Sequence, residues 1–371
     1  MKGKLNLKNI FLLVLIFSST PLLAKFDFED HAFPEFITSA RALAMGNAYI
    51  NKVDDSWSAF YNPAGLGSVR KPQFHLLNLH LEVSSGLMDV VGDGPAYKIP
   101  ENAISSFNKE ELKDQLVDYE GKILHSRANL FPNLTMRGLT LGYLYSVRNR
   151  AVLNFEDSNT LEILERKDHG PVASFNFSMY GGVLKWGATA VYLTRKDLYK
   201  SVGPLDEVDI KDSDYQNGSS LQITAGSRLI IPVGFLPTFS AVLRNATSSQ
   251  FSKINDDQEA PDAIKQTLDL GFSITPQIAK ASRLHVEVNL KDANNSYDTN
   301  SKRRLAAGLE LDYRRSIFFR AGWGDGWGAG GIGLKSRRFI FDISTYAVDL
   351  SRDGVREEED RRWVMAISSG F

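Results

Sequence analysis

Apolar and polar residues alternate along most of this chain with the two-residue period of a β-strand that has unlike faces. In the segment RLHVEVNLK, for example, apolar Leu284, Val286 and Val288 alternate with polar His285 and Glu287. The pattern predicts an all-β protein with strands near 73–83, 126–136, 138–154, 161–180, 183–198, 219–230, 238–249, 265–275, 281–291, 303–313, 317–324, 327–335, 338–350 and 361–371. Fourteen is an even number, as a bacterial transmembrane β-barrel requires.

The connections between these strands alternate in length, which favours a barrel. Some comprise only a few residues, as at 181–182 and 336–337, whereas others are as long as 84–125 or 351–360. Transmembrane barrels have short periplasmic turns and longer extracellular loops. A soluble β-sandwich also alternates polar and apolar residues, but it predicts no such parity. We therefore predict an antiparallel transmembrane barrel over residues 73–371, with the first strand starting on the periplasmic side.

Aromatic side chains and the last strand fit the same interpretation. The final segment, RRWVMAISSGF, places Trp363 and Phe371 on one face, and a terminal aromatic residue on such a strand resembles the insertion signal read by the barrel-assembly machinery. Aromatic girdles are expected where strands cross the membrane surfaces. Candidates for these girdles are Trp323, Trp327, Trp363, Tyr143, Tyr145, Tyr192, Tyr313 and Tyr346.

The first 24 residues predict export. Lys2, Lys4 and Lys8 precede an unbroken apolar run over 10–17, and Ala24 offers a small residue for cleavage. The run is too short to span a bilayer as a helix. Residues 1–24 are thus predicted to be a signal peptide, and the protein is predicted to reach an outer membrane of the Gram-negative type.

Composition narrows the classes further. The chain carries 43 basic and 44 acidic residues, has no cysteine, and has a mean hydropathy of -0.21. A net charge of -1 argues against nucleic-acid binding, and the lack of cysteine excludes thiolate metal sites and cysteine nucleophiles. The glycines at 326–331 formally fit G-x-G-x-x-G, but a strand rather than a helix is predicted to follow them. We expect no enzyme activity, metal or cofactor.

Residues 25–72 do not alternate and are predicted to form a plug. Helical turns are expected around 39–50 and 55–61, the second capped by Asp54, Asp55 or Ser56. Fourteen strands enclose more space than their own side chains fill. The segment is therefore predicted to lie in the lumen.

Three motifs in this segment carry a family resemblance. The runs S-A-R-A-L-A-M-G-N-A at 39–48, D-D-S at 54–56 and Y-N-P-A-G-L at 61–66 resemble the N-terminal signature of the long-chain fatty-acid transporter (FadL) superfamily. That superfamily includes aromatic-hydrocarbon channels and PorV-like proteins that serve secretion. The resemblance implies a fourteen-stranded barrel with an N-terminal hatch in the lumen.

Several hatch residues are candidates for ligand binding or gating. Arg41 is placed to pair with Asp54 and Asp55, either to stabilise the plug or to gate it, and Asn62 is placed to fix the turn at Pro63. The resemblance implies that the N-terminal phenylalanines meet a hydrophobic ligand, although simple packing against the wall is the alternative. The candidate set is Phe26, Phe28, Phe36, Arg41, Met45, Asp54, Asp55, Asn62 and Pro63.

A long loop supplies a second candidate site. Its pattern predicts a helix over 101–120 with Phe107, Leu112 and Leu116 on the apolar face. The resemblance implies an extracellular landing groove for the ligand, and a helix that lids the barrel mouth is the alternative.

These observations lead to two functional hypotheses. The first is a porin-like outer-membrane channel that admits a hydrophobic small molecule, such as a fatty acid or a hydrocarbon, by passive, plug-gated diffusion. The alternative is a PorV-like adaptor that binds a secreted or surface protein. The predicted inward residues Asp269, His285, Glu287 and Lys291 are polar, which does not favour a greasy channel throughout.

Overall fold

The computed structural model describes residues 30, 32–33, 35–93, 122–154, 160–203, 209–350, 355–356 and 358–370. The predicted signal peptide lies outside these residues, and so do Phe26, Phe28 and Phe371. The predicted loop helix with Phe107, Leu112 and Leu116 also lies outside them.

Within the described residues, fourteen antiparallel strands close into a barrel, which confirms the predicted fold class and strand number. Each strand pairs with the next along the chain, and the last pairs with the first, as Leu79 with Ile367. The strands are β1 Gln73–Ser84, β2 in two segments Leu124–Leu130 and Asn133–Met136, β3 Leu139–Asn154, β4 Thr160–Met179, β5 Leu184–Val202, β6 Tyr215–Ile230, β7 Thr238–Arg244, β8 Thr267–Ile274, β9 Ser282–Leu290, β10 Leu305–Tyr313, β11 Ile317–Gly324, β12 Trp327–Lys335, β13 Phe339–Asp349 and β14 Glu359–Gly370. Two short strands, Ser252–Lys253 and Gln277–Ala279, add to β6 and β9.

The two faces of the sheet differ as predicted. On β9, His285 and Glu287 are buried inside the barrel, whereas Val288 is 41% exposed on the outside. Exposed apolar side chains form an outward belt that includes Leu141, Phe175, Phe177, Trp186, Tyr192, Phe272, Phe319, Ile343 and Trp363. A closed sheet with an apolar outside and a polar inside satisfies its backbone hydrogen bonds without water, which is what a bilayer requires.

Two predicted details of the barrel are wrong. Tyr346 does not belong to an outer girdle: it is buried inside, where its hydroxyl donates to Glu82 at 2.7 Å. Proximity to a strand end does not decide which face a residue occupies. Strand β7 ends at Arg244 rather than near residue 249, because Asn245 and Ser248 turn the chain with positive φ angles of 45° and 50°.

The plug contains short helical segments joined by turns. They are α1 Ala40–Leu43, α2 Ser58–Tyr61 and a 3₁₀ segment Pro63–Ser68. The helix predicted over 39–50 is shorter because Gly46 and Asn47 have φ angles of 62° and 65°, which no helix continues. The N-cap residue of α2 is Trp57 rather than one of the predicted Asp54, Asp55 or Ser56, and its side chain makes no capping hydrogen bond. The Asp55 carboxylate instead accepts the Trp57 N–H at 3.0 Å, just before the helix.

Other short helices lie in the connections. They are α3 Ser85–Asp93, α4 Ser301–Arg304, and 3₁₀ turns at Tyr180–Gly182 and Asp212–Asp214. Among the described residues, no helix is long and apolar enough to cross a membrane. Gly326 forms a turn with a φ angle of 82°, and the glycines at 328, 330 and 331 lie in strand β12 rather than before a helix, so the dinucleotide motif is excluded as expected.

Candidate functional site

Buried ion pairs fasten the plug to the barrel wall. The Arg41 guanidinium donates to Asp54 and Asp55 at 2.9 and 3.2 Å, so the predicted ion pair is present. Its other side binds Glu310 of β10, with Nε–Oε2 and Nη2–Oε1 distances of 2.7 and 2.8 Å. Glu310 also forms an ion pair with Lys52 at 3.4 Å and accepts from Arg320 at 2.8 Å. One wall carboxylate thus joins two plug cations to the sheet.

Two further plug carboxylates bind cations on other strands. Glu35 accepts from Lys291 at 2.7 Å and from Arg244 at 3.0 Å. Asp30 accepts from Arg362 at 2.8 Å and also binds Arg150. Because buried charges persist only when they are paired, these contacts hold the N-terminal part of the plug in one position.

The charge states of the plug groups follow from this pairing. Burial opposes ionisation of Glu35 most strongly, but Lys291 and Arg244 overcome it and lower the pKa of Glu35 below its ordinary value. Burial is likewise the largest influence on Arg41, and Glu310 overcomes it, raising the pKa of Arg41 well above its ordinary value. Burial raises the pKa of Asp55, and neighbouring Asp54 adds to this rise. The first two groups therefore remain charged at neutral pH.

The plug backbone also lies directly on wall glycines. A Cβ atom on Gly322 would lie 2.1 Å from the Met45 carbonyl carbon, and one on Gly46 would lie 2.3 Å from the Trp323 carbonyl carbon. Such separations do not occur between real atoms, so only glycine allows this approach. The contact places Met45 against β11, where it packs as part of the plug.

A second close contact fixes the turn at Asn62 and Pro63. The Asn62 amide donates to the Ile50 carbonyl at 2.9 Å, and its oxygen accepts the Ala64 N–H at 3.0 Å, as the sequence predicts. A Cβ atom on wall Gly226 would lie 2.2 Å from the Asn62 side-chain oxygen. Arg228 donates to the Ile50 carbonyl at 2.8 Å. The plug is therefore in direct contact with strand β6 as well as with strand β11.

One sector of the lumen is apolar. We call it the lumenal apolar cluster: its side chains come from the plug, from inward positions on adjacent strands and from the connection between β7 and β8. Its members outside the plug core are Trp57, Phe60, Phe131, Leu144, Val172, Val191, Leu193 and Phe251, with Phe36, Ala260 and Ile264 packed against them. They are continuous with buried plug side chains, namely Ile37, Ala42, Met45, Tyr49, Val53, Ala59 and Tyr61. The Phe60 and Phe131 rings meet edge to face with centroids 4.9 Å apart. The inward apolar side chains of the wall thus avoid water by packing on the plug.

The cluster is covered on the side of the long connections. Two cavities of about 10 and 20 Å³ lie there, between Glu35 and Phe36 of the plug and Ile264 of the loop. Each has room for roughly one water molecule. A ligand that reaches the cluster must therefore displace Phe36, Phe251 or Ile264.

The barrel wall is irregular beside the cluster. Strand β2 is interrupted at Phe131 and Pro132, because proline has no N–H for the sheet. The neighbouring β1–β14 register shifts between His75 and Leu77. The Phe131 ring turns inward and occupies space that a side chain at Gly142 would fill, since a Cβ there would lie 2.7 Å from that ring. The neighbouring strands still bond to this segment, since Phe131 N–H donates to the Asn78 carbonyl and Tyr143 N–H donates to the Pro132 carbonyl, both at 3.1 Å. The apolar cluster thus reaches the wall where Pro132 contributes no N–H.

The structure brings most of the predicted plug residues together, but some lie in apolar and others in polar surroundings. Phe36 lies at the apolar cluster, whereas Arg41, Asp54 and Asp55 lie in a polar network. Glu35, Glu310 and the wall glycines are not predictable from the sequence motifs. The three motifs stop short of Glu35, and nothing in the pattern marks which inward carboxylate or glycine of a strand faces the plug. Within the described residues, no cluster of histidine and carboxylate groups is arranged to hold a metal ion.

Comparison with known proteins places the fold. No known family profile matches the chain. No curated protein sequence matches it either. Among solved structures, it is similar to the P. putida toluene transporter TodX, with TM-score 0.50 and 10% identity over 89% of this chain and 97% of that one. It is also similar to the monoaromatic hydrocarbon channel CymD, with TM-score 0.52 and 10% identity over 89% of this chain and 96% of that one. The chain thus has the fold of the FadL-type outer-membrane barrels, as the motifs predict.

Proposed function

We propose that the protein is an outer-membrane channel that admits a small hydrophobic molecule by passive diffusion. The observation that carries this proposal is the lumenal apolar cluster, which among the described residues is larger than the second apolar cluster between plug and wall, around Phe33, Tyr346 and Val348. The fold is shared with the toluene transporter TodX and the monoaromatic hydrocarbon channel CymD. The cluster consists of aromatic and branched aliphatic side chains, which favour contact with a small hydrocarbon. The proposal involves no catalytic step and no cofactor.

The route we propose avoids movement of the whole plug. A ligand enters from the side of the long connections, displaces Phe251 and Ile264, and reaches Trp57 and Phe60 on the plug. Because ion pairs and glycine contacts fasten the plug, exit past it would break several buried interactions at once. The interrupted strand at Phe131 offers a shorter path through the wall into the membrane. Arg41, Asp54 and Asp55 then stabilise the plug rather than gate it.

The first test measures ligand binding to purified protein in neutral-lipid nanodiscs. Radiolabelled toluene and a radiolabelled fatty acid serve as probes, with empty nanodiscs subtracted. We expect saturable binding of toluene that Leu193→Asn weakens about tenfold, because a buried amide without a partner disfavours an apolar ligand. Leu193 is fully buried within the cluster.

The matched control is Leu164→Asn. Leu164 is equally buried and lies on the neighbouring strand β4, but it is not a member of the cluster. Binding to this variant should stay within about twofold of the unmodified protein. Equal losses in both variants, or normal uptake of the probe by a strain that lacks the protein, would contradict the proposal.

The alternative is the PorV-like adaptor. The observation in its favour is that the plug occupies much of the lumen and that inward Glu287 binds plug backbone, accepting from Asn51 N–H at 2.8 Å. Asp269 and Lys291 likewise contact Arg244 and Glu35 rather than open space. A stoichiometric protein partner on purification, together with no binding of apolar probes, would favour this function over the channel.

A further inference from the structure

A large cavity lies between the plug and the short connections, and Trp57 of the lumenal apolar cluster forms part of its lining. Its volume is about 570 Å³, and it opens among the short connections, the end that the proposed orientation places in the periplasm. Ten basic and four acidic side chains line it, an excess of six positive charges. We call it the basic vestibule. Its charge contrasts with the near-neutral balance of the whole chain.

The positive charge of the vestibule is concentrated at its rim. Three of the four acidic residues are already paired, Asp54 and Asp55 with Arg41, and Asp342 with Arg320. Asp312 is the remaining acidic residue in the lining. Against it, the rim carries six exposed cations, Arg70, Lys71, Arg315, Lys335, Arg337 and Arg338. A cleft of one charge sign with low-dielectric walls focuses its field on the entrance and attracts the opposite charge.

The geometry points to an extended anion. The six rim cations come from three separate segments, at 70–71, 315 and 335–338, so a compact anion such as phosphate contacts few of them at once. A peptide in extended conformation advances about 3.3 Å per residue and presents a carboxylate to each segment in turn. Lipid headgroups are disfavoured because the vestibule lies inside the barrel, whereas their acyl chains remain outside the wall. We propose that the basic vestibule binds an acidic peptide segment of a periplasmic protein.

This inference requires that the short connections face the periplasm, and it is independent of which molecule the channel admits. The test uses full-length protein in phosphatidylcholine nanodiscs and a fluorescent hexaglutamate peptide, read by anisotropy. The triple variant Arg315→Gln, Lys335→Gln and Arg337→Gln removes three rim charges. We expect it to weaken peptide binding about tenfold, since three partly screened ion pairs are lost.

The matched control is Arg137→Gln, Lys280→Gln and Arg314→Gln. These residues are exposed on connections at the same end but do not line the vestibule. The control removes the same number of positive charges as the test variant. Because these charges lie outside the vestibule, peptide binding should stay within about twofold of the unmodified protein. Equal weakening in both triple variants, or equal binding of a hexa-asparagine peptide, would overturn the proposal.

Two competition experiments distinguish other ligands. Competition by inorganic phosphate, at a phosphate concentration equal to the carboxylate concentration of the peptide, would instead assign the vestibule to small anions. Displacement of the peptide by phosphatidylglycerol nanodiscs would assign it to lipid. Both variants are first checked for closed, heat-resistant barrels, so that a folding defect is not counted as lost binding.

Discussion

Replacing Gly322 by valine is expected to open the channel. The new Cβ would lie 2.1 Å from the Met45 carbonyl carbon and 2.3 Å from the Gly46 nitrogen, both of them backbone atoms of the plug. Backbone on both sides leaves no flexible side chain to move aside, so the cost lies at the upper end of overpacking, about 3 kcal/mol. Such a cost raises the displaced population of the plug about a hundredfold.

Single-channel recording in planar bilayers measures this effect directly. The unmodified protein should remain closed to ions, and Gly322→Val should show frequent openings of large conductance. Gly330→Val is the matched control: Gly330 lies on the adjacent strand β12, and the atom nearest to its added Cβ is the Arg320 carbonyl oxygen at 3.6 Å. This control should stay closed. A Gly322→Val barrel that is as closed as the control would show that the glycine contact does not hold the plug.

Replacing Glu310 by glutamine is expected to loosen the attachment of the plug to the barrel wall. Glu310 is fully buried and forms ion pairs with Arg41, Lys52 and Arg320. Glutamine keeps the shape but removes the charge, which leaves three cations around one neutral amide. Arg41 keeps Asp54 and Asp55, and Arg320 keeps Asp342, so the cost lies at the lower end for a broken buried pair, about 3 kcal/mol.

Urea unfolding in nanodiscs, combined with limited proteolysis of the plug, measures this loss. The Glu310→Gln plug should become cleavable at urea concentrations at which the unmodified plug is protected. Asp312→Asn is the control on the same strand, because its side-chain oxygen still accepts the Arg315 N–H, now 2.7 Å away. If both variants release the plug at the same urea concentration, the Arg41–Glu310 pair is not what anchors it. Partial rescue of Glu310→Gln by Arg41→Gln would support charge imbalance as the cause.

The strands could be predicted from the sequence because their signal is local. Alternation such as that of Val286, Glu287 and Val288 fixes the faces without knowledge of the neighbouring strand. The number of strands then implied a lumen wide enough for a plug. Helical extent in the plug was overestimated, since packing of Gly46 against Trp323 imposes a turn there.

The site was only partly predictable because its contacts are distant in sequence. Arg41 and Asp54 are 13 residues apart, and their pairing follows from one compact segment. The partner Glu310 lies 269 residues from Arg41, and which inward carboxylate meets the plug depends on the three-dimensional closure of the barrel. The apolar cluster was missed for the same reason, since Leu144, Val172 and Val191 lie on three strands and meet only when the sheet curves.

The central claim is that the lumenal apolar cluster receives the ligand, and the most direct test is its location in crystals. Crystals soaked with bromobenzene and measured at the bromine absorption edge would show where an apolar ring binds. We expect an anomalous peak between Trp57, Phe60 and Leu193, and the loss of that peak in Leu193→Asn crystals. Bromine peaks confined to the outward belt, with none in the lumen, would contradict it.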